Sequence, residues 1–123
     1  MNSEELKLHI LNSKLLYMSI GSVPCPAFDN EKISFNRRGF QHLLYKKGDR
    51  RKKSVQIERL SLLKKAVQVI RSSDKTVEYR RNGNIQFWSL EGSSGDMNIV
   101  VVIAQIGNGS KYFLSVMKST KTP

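Results

Sequence analysis

The hydrophobic period changes once along this chain, near residue 73, and that single change restricts the folds open to it. Up to "IRSSDK" the apolar residues recur every three or four positions, and from "TVEYRR" onward they alternate. A three-and-four spacing gathers apolar side chains on one stripe of a helix, whereas alternation gathers them on one face of a strand. Helices followed by a run of strands point to an α+β architecture. The expectation is therefore N-terminal helices packed on one face of a four-stranded antiparallel β-sheet that runs from about residue 76 to 118.

Within that frame, residues 3–18 are expected to form a first helix. Ser3 would be its N-cap, Glu4 and Glu5 would sit in its first turn, and Leu8, Leu11, Leu15 and Met18 would form its packing face. "GSVPCPAFDNE" carries one glycine and two prolines, so residues 20–32 read as a loop, with "KISF" as a short strand after it. A second helix is expected from Asn36 or Arg37 to about Lys47, closed by the turn "KGDR". A third should run unbroken from about Lys53 to Ser72 on the stripe Ile57, Leu60, Leu63, Val67 and Ile70. In the strand half, Asn82-Gly83 should join "TVEYRR" to "NIQFWSLE" as a two-residue hairpin. "GNGS" should join "NIVVVIAQI" to "KYFLSVMKS", and the final "KSTKTP" reads as a frayed tail.

The chain is one domain's worth of sequence, 123 residues, and its charge is far from balanced: net +11 with a pI of about 10.1. Such a molecule draws in polyanions, RNA foremost, by steering and counterion release. No apolar run approaches the roughly 20 residues needed to span a membrane; the longest, "IVVVIA", is strand-sized. Glu4 and Glu5 stand where a secretory signal would carry bases, and the single cysteine, Cys25, has no partner for a disulfide and no neighbours spaced as metal ligands. The expected compartment is the cytoplasm.

The cations are concentrated in residues 35–53, "FNRRGFQHLLYKKGDRRKK". Arg37, Arg38, Lys46, Lys47, Arg50, Arg51, Lys52 and Lys53 there face only one acid, Asp49. On a helix at about 100° per residue, Phe40, Leu43 and Leu44 share one side while Arg38, His42 and Lys46 fall roughly opposite. His42 should thus face solvent or a cleft, with a cation one turn to either side. Nearby positive charge favours neutral imidazole, the form a general base needs, and also stabilises charge growing on a phosphoryl transition state. In RNA the adjacent 2′-hydroxyl is a built-in nucleophile, so a base, an acid and a phosphate clamp suffice. The plainer reading is a solvated basic face. His9, at the edge of an apolar helix, reads as structural.

Other groups are weaker signals. Arg59, beside the apolar stripe of the third helix, is a candidate phosphate ligand, with Lys65 near it. Tyr79, Arg80 and Arg81 lie across a hairpin from Phe87 and Trp88, and these aromatics and Tyr112 could stack on bases or simply pack. Ser115, Lys118, Ser119 and Thr120 bring hydroxyls and a cation to the last strand, where alternation puts Ser115, Met117 and Ser119 on one face. The ten acids form no convincing pair for a metal, and "GSSGD" and "GNGS" lack the strand, helix and lysine of a phosphate-binding loop. No metal and no cofactor is expected.

"ISFNRRGFQHLLYKKG", the helix "IERLSLLKKAVQVI", the strands "VEYRRNGNIQFWSL" and the closing "VVVIAQIGNGSKYFLSVMKS" together resemble the phage-associated branch of the barnase/EndoU/colicin/RelE-like (BECR fold) ribonuclease superfamily. The likeness covers about residues 31–119, leaving 1–30 as an appended helix and loop. It implies metal-independent cleavage of RNA, by a toxin or a phage-associated effector. It puts the family's helix-borne histidine at His42, its basic helical position at Arg59 with Lys46 as rival, and its final-strand polar residue at Ser115 or Ser119, with Lys118 nearby. The sheet carries no second histidine, so the general acid has no assigned residue. The leading expectation is a small endoribonuclease whose phosphate-binding surface is Arg37, Arg38, Lys47, Arg50, Arg51, Lys52, Lys53, Arg80 and Arg81. The alternatives are a non-catalytic RNA-binding module and a basic protein that binds an acidic partner. For a toxin, charge complementarity implies an acidic antitoxin or immunity protein over residues 37–53.

Overall fold

Asn2 starts the fold. In a computed structural model, which describes residues 2–119, its side-chain oxygen accepts a hydrogen bond from the Glu5 amide at 2.8 Å, so Asn2 rather than Ser3 caps the first helix, α1 (Ser3–Ile20). The expected packing face of α1 is reversed. Leu8, Leu11, Leu15 and Met18 are exposed, and the helix turns Leu6, Ser13 and Tyr17 inward. Two apolar stripes compete on this helix, and the one that carries an aromatic ring wins. Tyr17 packs among Phe35, Phe40 and Phe113, with centroids 5.4, 5.2 and 6.1 Å away, and its hydroxyl donates to the Asn36 carbonyl at 2.6 Å. His9 lies half-buried on this helix, its Nε2 without a partner.

The segment expected as a loop contains a strand. β1 (Ser22–Cys25) pairs antiparallel with β2 (Glu31–Ser34) around a short 3-10 turn at Pro26–Phe28, and burial alternates along β1 with Val23 and Cys25 inside. Pro24 is tolerated because β1 is the outermost strand. Past the second helix, α2 (Arg37–Leu44), a two-residue hairpin of β3 (Tyr45–Lys46) and β4 (Asp49–Arg50) leads into α3 (Lys53–Ser61) and α4 (Leu63–Ser72). The long third helix is thus two. The break falls at Leu62, with φ −88° and ψ −2°. Leu60, Leu62 and Leu63 are all buried, whereas on a straight helix Leu62 would point about 100° away from Leu63.

The meander follows as expected: β5 (Glu78–Asn82), β6 (Ile85–Ser94), β7 (Met97–Ile106) and β8 (Tyr112–Lys118), antiparallel throughout. Its first turn is shifted by one residue. Asn82 pairs with Ile85, so Gly83-Asn84 makes the turn, with Gly83 at φ +59° in the first turn position. The sheet has six strands rather than four, in the order β1-β2-β8-β7-β6-β5, and β2 meets β8 in parallel at Ser34 and Tyr112. The architecture is α+β with a mostly antiparallel sheet. α4 lays Leu63, Ala66, Val69 and Ile70 in one core with Leu90, Ile99, Val101 and Ile103 of the sheet. Gly92, paired with Ile99, makes room for that helix, since a Cβ there would come 2.7 Å from Val69. Among the described residues no helix is long and apolar enough to cross a membrane. Residues 120–123 of the expected tail, Thr120 among them, lie outside the described residues.

Candidate functional site

α2 is built to show one polar face. Asn36 caps it, accepting from the Gly39 amide at 3.3 Å; Gly39, Phe40, Leu43 and Leu44 are buried, and Arg37, Arg38 and Gln41 are exposed. Gly39 sits on the last strand so closely that a Cβ would overlap both the Phe113 carbonyl oxygen and the Tyr17 hydroxyl. That contact fixes the helix against β8.

The helix ends at Leu44, three residues sooner than expected. Lys47 and Gly48 take positive φ, 52° and 83°, which closes the β3–β4 hairpin and carries Lys46 off the helix. The hairpin sends the chain back so that Arg51 covers the end of α2. Its amide donates to the Leu44 carbonyl at 2.8 Å, its Nε donates to the His42 carbonyl at 3.0 Å, and its own carbonyl accepts from the buried Gln56 Nε2 at 2.6 Å. Carbonyls at a helix C-terminus lack partners and carry partial negative charge, so a cation suits them. Arg51 is therefore a fixed structural cation, and Gln56 is the bracket that holds it. A Lys-Gly pair able to close a tight hairpin was the one sequence signal for this; nothing flagged Gln56.

His42 does not project freely into solvent. It is half-buried, with Nδ1 sealed off and unpartnered, and its pKa is lowered to about 4. Burial is the largest cause, followed by the positive charges of Arg51, Arg59 and Lys46. Arg59, reaching in from α3, donates to the Ser115 hydroxyl. Burial and the neighbouring Arg51 push the Arg59 guanidinium downward, and Glu58 partly offsets them. Ser115 is placed by a bulge: Phe113 pairs with Ile103 and Ser115 with Val102, so Leu114 is the extra residue of β8. Phe113 and Val116 both remain in the core, while Ser115 meets the arginine.

His42 borders an open groove of about 590 Å³ between α2, the β3–β4 hairpin and β8. Arg37, Arg38 and Lys47 line it, and so does Tyr112, whose phenol is pushed upward by burial while Arg38 pulls it the other way. Tyr112 stays protonated near neutral pH and can donate a hydrogen bond or a proton. As a candidate acid it was missed, because a tyrosine in a strand reads first as packing.

The other predicted residues spread out. Arg50 stands over the Tyr45 ring at 5.6 Å, Lys52 is exposed just before α3, and Lys53 donates to the Ser3 hydroxyl at 3.1 Å. Arg80 lies over Phe87 at 5.4 Å and Arg81 donates to the Gly83 carbonyl at 3.0 Å, both on the exposed strand β5. Lys118 and Ser119 line a separate hollow with Val77, Glu78, Ser89 and Glu91, three and four residues beyond Ser115. Among the described residues no three His, Cys, Asp or Glu side chains gather to hold a metal ion. Compared with models of known families, with curated proteins and with solved structures, the chain matches none.

Proposed function

We propose that the chain binds RNA in the groove beside His42 and cleaves it without a metal ion. The observation that carries this reading is one histidine, held neutral by burial and by Arg51, Arg59 and Lys46, on the wall of an open groove lined by Arg37, Arg38, Lys47 and Tyr112. A backbone phosphate entering the groove would meet those cations. Neutral His42 would take the proton of the 2′-hydroxyl as its oxygen attacks phosphorus, and Tyr112 would protonate the departing 5′-oxygen. The products are a 2′,3′-cyclic phosphate and a 5′-hydroxyl. Arg37, Arg38 and Lys47 would stabilise the charge that grows on the phosphoryl oxygens, while Arg59, positioned by Ser115, and Lys46 act through the positive charge they set near His42. Lys118 takes no part.

A pKa of about 4 makes free His42 a weak base, since proton transfer is most effective when the pKa lies near the working pH. That favours the second reading, an RNA-binding module on the same surface. A bound phosphate would raise the value by adding negative charge. Assignment to the ribonuclease superfamily, a toxin or phage-associated role, an acidic antitoxin over residues 37–53 and a cytoplasmic location belong to the same proposal. They rest on the sequence resemblance, the charge and the single cysteine.

Incubation of total RNA with the protein in EDTA tests the reading. Fragments with cyclic phosphate ends should appear, and His42→Ala should slow their release by about 10²- to 10⁴-fold. A folded protein that binds RNA and never cuts it would favour the binding module.

A further inference from the structure

A second groove, of about 470 Å³, opens on the other side of α2, between it and α1. Its character differs from that of the first. Ile10, Tyr17, Met18, Phe40, Leu44 and Tyr45 make it mainly apolar and aromatic. Asn36, Arg37, Gln41 and Tyr45 border both grooves, so an extended ligand in one continues directly into the other. Gln41, on that shared wall, is exposed, and its amide makes no hydrogen bond among the described residues. Met18, on the opposite wall, is 68% exposed. The Tyr45 ring is half-buried and held by Arg50 at 5.6 Å.

We propose that this groove is a nucleobase subsite: it takes an unstacked base of the RNA strand whose phosphate lies beside His42. The inference rests on the RNA reading of the first groove and adds where the base goes. Proteins that read single-stranded RNA splay bases out, stack them on aromatic rings and pair their edges with amides, and the groove offers both at one place. Its volume falls in the range of small-molecule sites, which are mostly apolar with a few placed polar groups. Tyr45 supplies the stacking surface, Met18 and Ile10 the facing wall, and Gln41 a donor and an acceptor for the base edge. Arg38 and Lys47 line only the side that receives phosphate, whereas Lys14 and the shared Arg37 also border the base groove. Arg37 and Tyr45 stand at the boundary, where sugar joins base.

The test separates bases from charge by using two probes on the full chain: a 12-nucleotide single-stranded RNA, and inorganic polyphosphate of equal charge. Tyr45→Ala should weaken RNA binding by roughly 5- to 150-fold, the usual effect of removing one base-stacking ring, and weaken polyphosphate binding by a clearly smaller factor, since the ring also borders the phosphate groove. Tyr45→Phe should bind RNA as the parent does. Met18→Ser, on the exposed surface and outside the cationic groove, should weaken RNA alone, by a smaller factor. Tyr45→Ala and Met18→Ser proteins that hold RNA as tightly as the parent would overturn the subsite and leave the phosphate groove standing. Equal losses for both probes would also overturn it, placing Tyr45 in charge recognition. A parent that binds polyphosphate as tightly as RNA would show that no base is held, and a parent that binds neither would overturn the subsite and the RNA reading together.

Discussion

Two stretches of this chain look alike in sequence: "FNRRGFQHLLYKKGDRR" in the helical half and "VEYRRNGNIQFW" in the strand half each set Arg-Arg pairs among aromatics. The fold treats them in opposite ways. In the first, the chain doubles back through the β3–β4 hairpin, so that Arg51 binds the end of α2 and joins Arg59 near a half-buried histidine. In the second, β5 is exposed along its whole length as the edge strand, and its arginines settle on Phe87 and on their own turn. A cation in water changes little around it, because solvent screens its charge, whereas a cation fixed beside a partly buried group shifts that group's protonation. Composition cannot separate the two stretches. Burial does.

The sharpest way to break the comparison is to disturb the packing that makes the first stretch special. Gly39→Ala pushes a methyl group into the Phe113 carbonyl and the Tyr17 hydroxyl, the latter held by its bond to the Asn36 carbonyl. It should cost about 3 kcal/mol or more, at the upper end for overpacking. Gly83→Ala, in the exposed hairpin at φ +59° with nothing within 4 Å, should cost only about 1 kcal/mol. Denaturant midpoints of the two variants give the ratio, and equal losses would mean that α2 is not pinned on β8.

Next comes Arg51→Ala against Arg81→Ala. The first removes a donor from the end of α2 and should cost about 1–3 kcal/mol; the second should stay within about 0.5 kcal/mol. Binding offers a parallel contrast. Replacing Arg37, Arg38 and Lys47 together should reduce the salt slope of single-stranded RNA binding by about 2, from roughly 0.7 per phosphate contact, and replacing Arg80 and Arg81 should leave it nearly unchanged. Equal slopes in both variants would spread the RNA surface over the hairpin as well.

Stability against pH gives a further contrast, since only the first stretch holds a group whose protonation the fold shifts. The folded-state pKa of His42, about 4, lies below the ordinary value of 6.5, so between those values the unfolded chain binds the proton and the folded one does not. Stability contributed by neutral His42 is thus complete above about pH 6.5 and is lost as pH falls toward 4. Unfolding curves of the parent should weaken over that window more than those of His42→Phe.

What the sequence disclosed was mostly local. The α4 stripe, the meander and the position of His42 among cations follow from periodicity and turn chemistry, which act over a few residues. What it hid was decided at long range. The β1–β2 pair joins the sheet through a parallel contact between Ser34 and Tyr112, residues far apart in sequence. The inward face of α1 depended on which stripe met Phe35, Phe40 and Phe113. The site shows the same division: His42, Arg59 and Ser115 were legible as residue types, but the bulge at Leu114 that brings Ser115 to Arg59 was not. Nor was the hairpin that turned Arg51 from one charge in a run into the cap of a helix.

The catalytic reading requires that His42 be held neutral by its surroundings and sit where a phosphate would bind. Nuclear magnetic resonance titration of its ring protons tests both points at once, first in the free protein and then with a 2′-deoxy oligonucleotide, which lacks the attacking hydroxyl and cannot be cleaved. The expected result is a free-protein midpoint near 4, a rise toward the ordinary value in Arg59→Gln, and a further upward shift when the strand binds. A midpoint near 6.5 that neither the arginine variant nor the bound strand moves would contradict it.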